Sequence, residues 1–256
     1  MRTSLSVLMV LGLLGATVGC SAAAGSDSVH VWAAGDGVRV NPETGKFFED
    51  RPDIHKDYPT GDYRKRSAVW DASAGRVALK AARNEFVSFQ VVVEKGDSHP
   101  ADQTVKPAVT CTSLRGPDGA EIAGANVAPF KAWYVKVNRK THGYDKLSLG
   151  LGWYPDALIP VAQGRPLSFD LPDAKNAIGP TQRNQTVWVD IFVPRDRKDA
   201  PPGTYKGELA VAWPGGSRTI DVELDVWDFA LPDDIHCRGD IFNVTLLDMA
   251  PEKELL

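Results

Sequence analysis

The richest polar-aromatic segment is "GYDKLSLGLGWYPDALIP", Gly143 to Pro160. Trp153, Tyr154 and Asp156 fall within four positions there, bounded by glycine and proline. An aromatic face can stack on a sugar ring, and a carboxylate accepts hydrogen bonds from hydroxyls. The trio is therefore a candidate carbohydrate contact. The competing reading is packing of the same aromatics against a neighbouring domain, because interfaces also select Trp and Tyr. The Gly and Pro boundaries predict a loop for this segment.

Other reactive groups form no constellation. Glu49–Asp50 in "FFED" and Asp233–Asp234 in "PDD" are adjacent acids, both expected in turns or loops. General acid catalysis needs a carboxyl held in a tuned pocket, and a turn carboxylate gives no sign of one. Cys111 lies in the strand-like "AVTCTSL" without a nearby histidine, which suits a structural thiol. "GDG" at Gly35 to Gly37 has neither the spacing nor the following helix of a phosphate loop, and reads as a turn. There is no GxSxG elbow, CxxC, HxH or HExxH, and the five histidines are scattered. No catalytic residue, metal or cofactor is expected.

The elements that must position these groups read as strands. In "NEFVSFQVVVE", Val87, Phe89, Val91 and Val93 alternate with Phe86, Ser88, Gln90 and Val92. "FKAWYVKVN" offers Trp133, Val135 and Val137 as an apolar face, "PLSFDL" offers Leu167, Phe169 and Leu171, and "TVWVDIFVP" offers Val187, Val189, Ile191 and Val193. "PPGTYKGELAVAW" alternates from Tyr205 to Trp213, "WPGGSR" signals a hairpin, and Ile220, Val222, Leu224 and Val226 alternate against Asp221, Glu223 and Asp225. "ALKAARNEF" has some helical character, and "LLDMAPEKELL" reads as a helix with Pro251 in its first turn. Asn41 to Arg66 lacks periodicity and is expected to be a long irregular loop. Trp32, Trp70, Trp133, Trp188, Trp213 and Trp227 read as core or second-face packing. Many short strands between turns give an all-β fold: a two-sheet antiparallel β-sandwich with long loops.

The chain has 256 residues, 43% of them apolar and 24% charged, with a net charge of −4. The composition is globular and shows no basic block, which argues against a nucleic-acid partner; the densest basic spot, "RKR" at Arg64 to Arg66, reads as a solvated turn. Residues 1–19 have the basic start and short apolar run of a secretory signal peptide, followed by a linker at 20–28. "TVGC" is similar to a bacterial lipobox, which would lipidate Cys20 and give a membrane anchor; cleavage near Ala22 to Ala24 is the alternative. Either outcome places the chain in the cell envelope or outside the cell. Cys111 and Cys237 are then a candidate disulfide pair, or two separate buried thiols.

"NEFVSFQVVV", "GWYPDALIP", "NQTVWVDIFVP", "APPGTYKGELAV" and "LDVWDFALPD" occur in that order. Together they resemble the N-terminal β-sandwich domain of proteins related to glycoside hydrolase family 123. The resemblance implies a sandwich over residues 29–234 and the start of a (β/α)8 barrel at 235–256, the rest of the barrel being absent. The family's acidic pair, thought to act with the substrate's own acetamido group, would lie in that barrel, and no residue here inherits the role. The resemblance thus implies a non-catalytic domain supporting a barrel that processes N-acetylhexosaminides. Two alternatives stay open: a stand-alone carbohydrate-binding module, and a structural or adhesion domain that binds a protein.

Overall fold

The alternating segments pair into two sheets. The structure, a computed structural model, describes residues 29–51, 62–97, 99–100, 103–139, 148–162 and 164–234. The leader, Cys20, Cys237 and the C-terminal helical segment lie outside the described residues. The first sheet contains β1 (Val29–Gly35), β4 (Glu85–Lys95), β8 (Val127–Val137), β9 (Gly152–Pro160) and β11 (Asn184–Val193), in the order β1-β4-β11-β8-β9, all antiparallel. The second contains β2 (Trp70–Asp71), β3 (Arg76–Arg83), β5 (Ala108–Cys111), β10 (Leu167–Ser168), β12 (Gly203–Trp213) and β13 (Gly216–Ala230), in the order β10-β5-β12-β13-β3-β2. The short β6 (Leu114–Arg115) and β7 (Glu121–Ile122) join it beside β12. The expected sandwich is present, with one departure: β3 and β13 pair in parallel.

Between the sheets lies one apolar core. Phe89, Val91 and Val93 meet Val187, Val189 and Ile191 within the first sheet, against Leu209, Val211, Ile220, Val222 and Leu224 of the second. The β12–β13 hairpin has the predicted alternation, with Tyr205, Leu209, Val211 and Trp213 buried and Lys206, Glu208 and Ala212 exposed. Tyr205 is fully buried and its hydroxyl donates to the Pro201 carbonyl at 2.8 Å. This ties the Pro-Pro-Gly turn to its strand, in the manner of a tyrosine corner.

Three sequence expectations are corrected. "RVALKAAR" is strand β3, because pairing with β13 on one side and β2 on the other overrides its helical propensity. In β8 the buried residues are Val127, Ala132 and Tyr134, while Val135 and Val137 are exposed. Tyr134 can be buried because its hydroxyl accepts the Thr186 N–H at 2.9 Å. Trp227 is exposed, because β13 loses register with β3 between Val226 and Ala230.

The described parts of the 41–66 segment have no long strand and cover the outer face of β1 and β4. Phe47 stacks on Tyr63 at 3.9 Å, and both rings lie about 6 Å from Trp32. At the other end of the first sheet, Lys131 donates to the buried carboxylate of Asp173. Burial pushes that carboxyl up, but the Lys131 ammonium and the Lys175 backbone N–H outweigh it and hold it below the usual carboxylate range. A folded pKa below the unfolded one means that the unfolded chain binds more protons, so this stability is present at neutral pH and lost as pH falls below about 4. Removing the ammonium in Lys131→Met leaves a buried carboxylate unpaired. Urea titrations at about pH 7, 5 and 3 should therefore show a smaller acid loss in the variant than in the parent chain.

Candidate functional site

Trp153, Tyr154 and Asp156 stand on strand β9, not on the expected loop. The segment is drawn into the sheet by pairing with β8, from Gly152↔Val137 to Pro160↔Phe130. A regular strand sends adjacent side chains to opposite faces. The Tyr154 ring stacks on Phe48 at 4.1 Å and its hydroxyl donates to the Gly150 carbonyl at 2.8 Å. Burial pushes its phenol upward, and the nearby Glu49 carboxylate adds to this. Trp153 takes the Lys136 ammonium over its ring at 5.3 Å. The trio does not converge: the Tyr154 ring is committed to Phe48 and the Trp153 ring to Lys136.

Asp156 has a different setting. The pairing steps from Tyr134↔Pro155 to Trp133↔Ala157, so Asp156 is the extra residue of a β-bulge. Bulges re-aim a side chain and recur beside functional sites. Here the bulge turns Asp156 towards a cavity of about 300 Å³ on the outer face of the first sheet. The opposite wall is the turn after β1, with Asp36 and Arg39, and Trp188 and Thr186 of β11 line the same cavity. The turn is fixed from beneath, because Gln90 Nε2 donates to the carbonyls of Gly35 and Val38 at 2.7 Å each. Asp190 accepts the Trp188 indole N–H at 2.5 Å and the Ser88 hydroxyl at 2.6 Å, which fixes the ring. Arg39 is held by Glu49, through its backbone N–H at 2.8 Å and its guanidinium at 2.7 Å. That use of Glu49 agrees with a structural role for the "FFED" acids.

Sequence reasoning missed Asp36, Gln90, Thr186 and Trp188 as neighbours of Asp156. The signal was the second face of the central strands: Gln90 and Thr186 are polar, buried and placed where a free sandwich face would be solvated. Asp233 accepts a hydrogen bond from Asn84 Nδ2 at 2.8 Å and pairs with Arg195. Cys111 ends β5 and is bonded to no other cysteine among the described residues; burial pushes its thiol up to about 12, far from a nucleophile's range. Its partner in the candidate disulfide, Cys237, lies outside the described residues.

No family model matches the chain, and no curated protein does. Among solved structures it is similar to a family 123 glycoside hydrolase from Clostridium perfringens, studied for glycolipid glycan hydrolysis. The TM-score is 0.51 at 14% identity, over 80% of this chain and 28% of that one. It is also similar to AggA, the major subunit of aggregative adherence fimbriae type I from Escherichia coli, with TM-score 0.32 and 14% identity over 59% of this chain and 89% of that one. A further likeness is to CfaE, the adhesive subunit of the CFA/I fimbria of enterotoxigenic Escherichia coli, with TM-score 0.29 and 8% identity over 58% of this chain and 46% of that one. The β-sandwich of this chain therefore has a fold like that of part of a family 123 glycoside hydrolase, and it spans 28% of that enzyme's length.

Proposed function

We propose that the chain is the sandwich domain of a family 123-like glycoside hydrolase, and that it carries and orients a catalytic domain acting on N-acetylhexosaminides. The observation that carries this reading is a group of exposed aromatics where the chain leaves the sandwich. Phe86 is 66% exposed, Trp227 44%, Phe229 49% and Leu231 38%. Phe86 packs on Phe192 at 4.9 Å, and Trp227 stacks on Phe229 at 5.7 Å. Both pairs lie within a few residues of the crossover between β3 and β4, where Arg83 pairs with Ala230 and Asn84 donates to the Leu231 carbonyl at 3.0 Å. Exposed apolar surface held in such stacked pairs is the kind that marks an interaction site. Exit residues 231–234 are pinned by Asn84 and Arg195, so a following domain would leave in a set direction. The fold likeness to part of a much longer glycoside hydrolase fits this arrangement. In this reading the leader exports the chain, and Cys20 can hold it at the membrane through lipid.

The test is dye binding. The chain should enhance the fluorescence of anilinonaphthalene sulfonate, and the double variant Trp227→Ser, Phe229→Ser should lose most of the enhancement. The replaced side chains are exposed, so stability should change by no more than about 1 kcal/mol. A parent chain that binds no dye, or a double variant that binds as much, overturns the docking surface. Turnover of a chromogenic N-acetylhexosaminide by the purified chain would overturn the non-catalytic assignment.

A further inference from the structure

Among the described residues, all those that line the outer-face cavity beside Asp156 belong to the sandwich. Its walls combine three kinds of surface. Trp188 presents an indole already fixed by Asp190. Leu158 and Pro155 add an apolar side. Asp36 and Asp156 supply two carboxylates, both on exposed backbone and neither with a hydrogen bond or ion pair among the described residues. Thr186, which lines the same cavity, is 1% exposed, and its Oγ1 has no hydrogen-bond partner among the described residues. A buried hydroxyl without a partner is costly, and such groups in native proteins call for an explanation.

These features select one chemical class. A ring with an apolar face and a rim of hydroxyls matches an indole beside acceptor carboxylates: the face stacks and the rim donates. A volume of about 300 Å³ is at the small end of ligand sites, enough for one such ring. An anionic ligand is disfavoured by the two carboxylates. An alkylammonium would pair with the carboxylates and is also attracted to an indole face, so it is the competing ligand that the test must separate. We propose that this cavity is a binding site for a single neutral pyranose residue, with Asp36 and Asp156 accepting its hydroxyls and Trp188 supporting its ring. The proposal rests on the sandwich alone; it deepens the glycan-processing reading but survives if no catalytic domain follows.

The test uses the full 256-residue chain. Saturation-transfer NMR is run with methyl β-D-glucopyranoside and methyl β-D-galactopyranoside, with butylamine as the cationic control. At least one pyranoside should bind with a Kd on the order of 1 mM, the scale for about a dozen heavy atoms. Asp36→Asn and Asp156→Asn, both at exposed positions, should each weaken binding at least about tenfold at unchanged melting temperature. Trp153→Ala should bind like the parent chain, because Trp153 is not among the residues that line the cavity. Absence of pyranoside binding overturns the proposal. So does unchanged binding in both aspartate variants, or loss of binding in Trp153→Ala. Competition by butylamine at equal concentration would assign a cation site instead. Dye binding at the aromatic exit surface is unaffected by these variants, so the two readings fail separately.

Discussion

Tyr205→Ala is expected to lower the stability of the sandwich by about 3–5 kcal/mol, the range for removing a fully buried aromatic. The residue has three jobs. Its ring fills the core between β12 and the β6–β7 corner. Its hydroxyl is a buried donor for the Pro201 carbonyl at 2.8 Å. Its position also fixes the turn that launches the β12–β13 hairpin, the longest pairing in the second sheet. Tyr205→Phe isolates the second job and should cost about 1–2 kcal/mol, since it leaves the carbonyl unpaired while keeping the ring. Gly116 gives an independent check. A methyl group there would lie 2.3 Å from Tyr205 Cε1, so Gly116→Ala must displace the ring. Urea unfolding followed by tryptophan emission would measure all three, with an unchanged m-value as the sign that only stability moved. A loss below about 1 kcal/mol in Tyr205→Ala would show that the turn holds without its tyrosine.

The hairpin shows why much of this fold was legible. Tyr205 to Trp213 and Ile220 to Val226 alternate because one side faces the core and the other faces water, and that asymmetry is written directly in residue types. The first sheet is harder to read. Its interior strand β4 is buried on both faces from Phe89 to Lys95, and the polar members Gln90 and Glu94 are buried alongside the valines. Alternation locates such a strand but does not say what covers its second side. The covering segment, from Val38 onward, has no periodicity, because its contacts are single residues: Phe47, Tyr63, Arg64, Phe48. The candidate site failed to read for a related reason. Trp153, Tyr154 and Asp156 are neighbours in sequence, and a loop would have let them converge. Pairing with β8 sends the two rings to opposite faces, and only the bulge brings Asp156 to the cavity. Its partners there come from the turn after β1 and from β11, too distant in sequence for a motif to join them.

Glu94→Ala should cost about 2–4 kcal/mol, and the loss should fall unevenly over the molecule. Glu94 is 6% exposed and its two oxygens serve three donors. Oε2 accepts from Trp32 Nε1 at 3.1 Å and from Arg64 Nε at 2.8 Å, and Oε1 accepts from Arg64 Nη2 at 2.9 Å. The two-pronged Arg64–carboxylate bond is the strong, oriented kind, and it raises the Arg64 pKa above the ordinary value. It also holds the guanidinium 5.5 Å from the Trp32 ring and 5.8 Å from the Tyr63 ring, which clamps the irregular segment onto β1 and β4. Truncation leaves the buried Trp32 N–H without an acceptor, whereas the half-exposed Arg64 can turn to water; the damage is therefore mainly the orphaned donor and the released segment. Glu94→Gln keeps an acceptor for Trp32 and should cost about half as much. Gly45 reports on the same pair: its φ is +69°, and a Cβ there would meet Arg64 Nη2 at 2.3 Å and Glu94 Oε1 at 2.8 Å, so Gly45→Ala should open the clamp as well. Hydrogen exchange separates this from the Tyr205 effect. In Glu94→Ala the amides of Gly45 and Lys46 should exchange faster than the global loss of stability requires, while those of β12 and β13 follow the global change alone. Uniform acceleration over both sheets would mean that Glu94 supports the whole sandwich and not the segment it clamps.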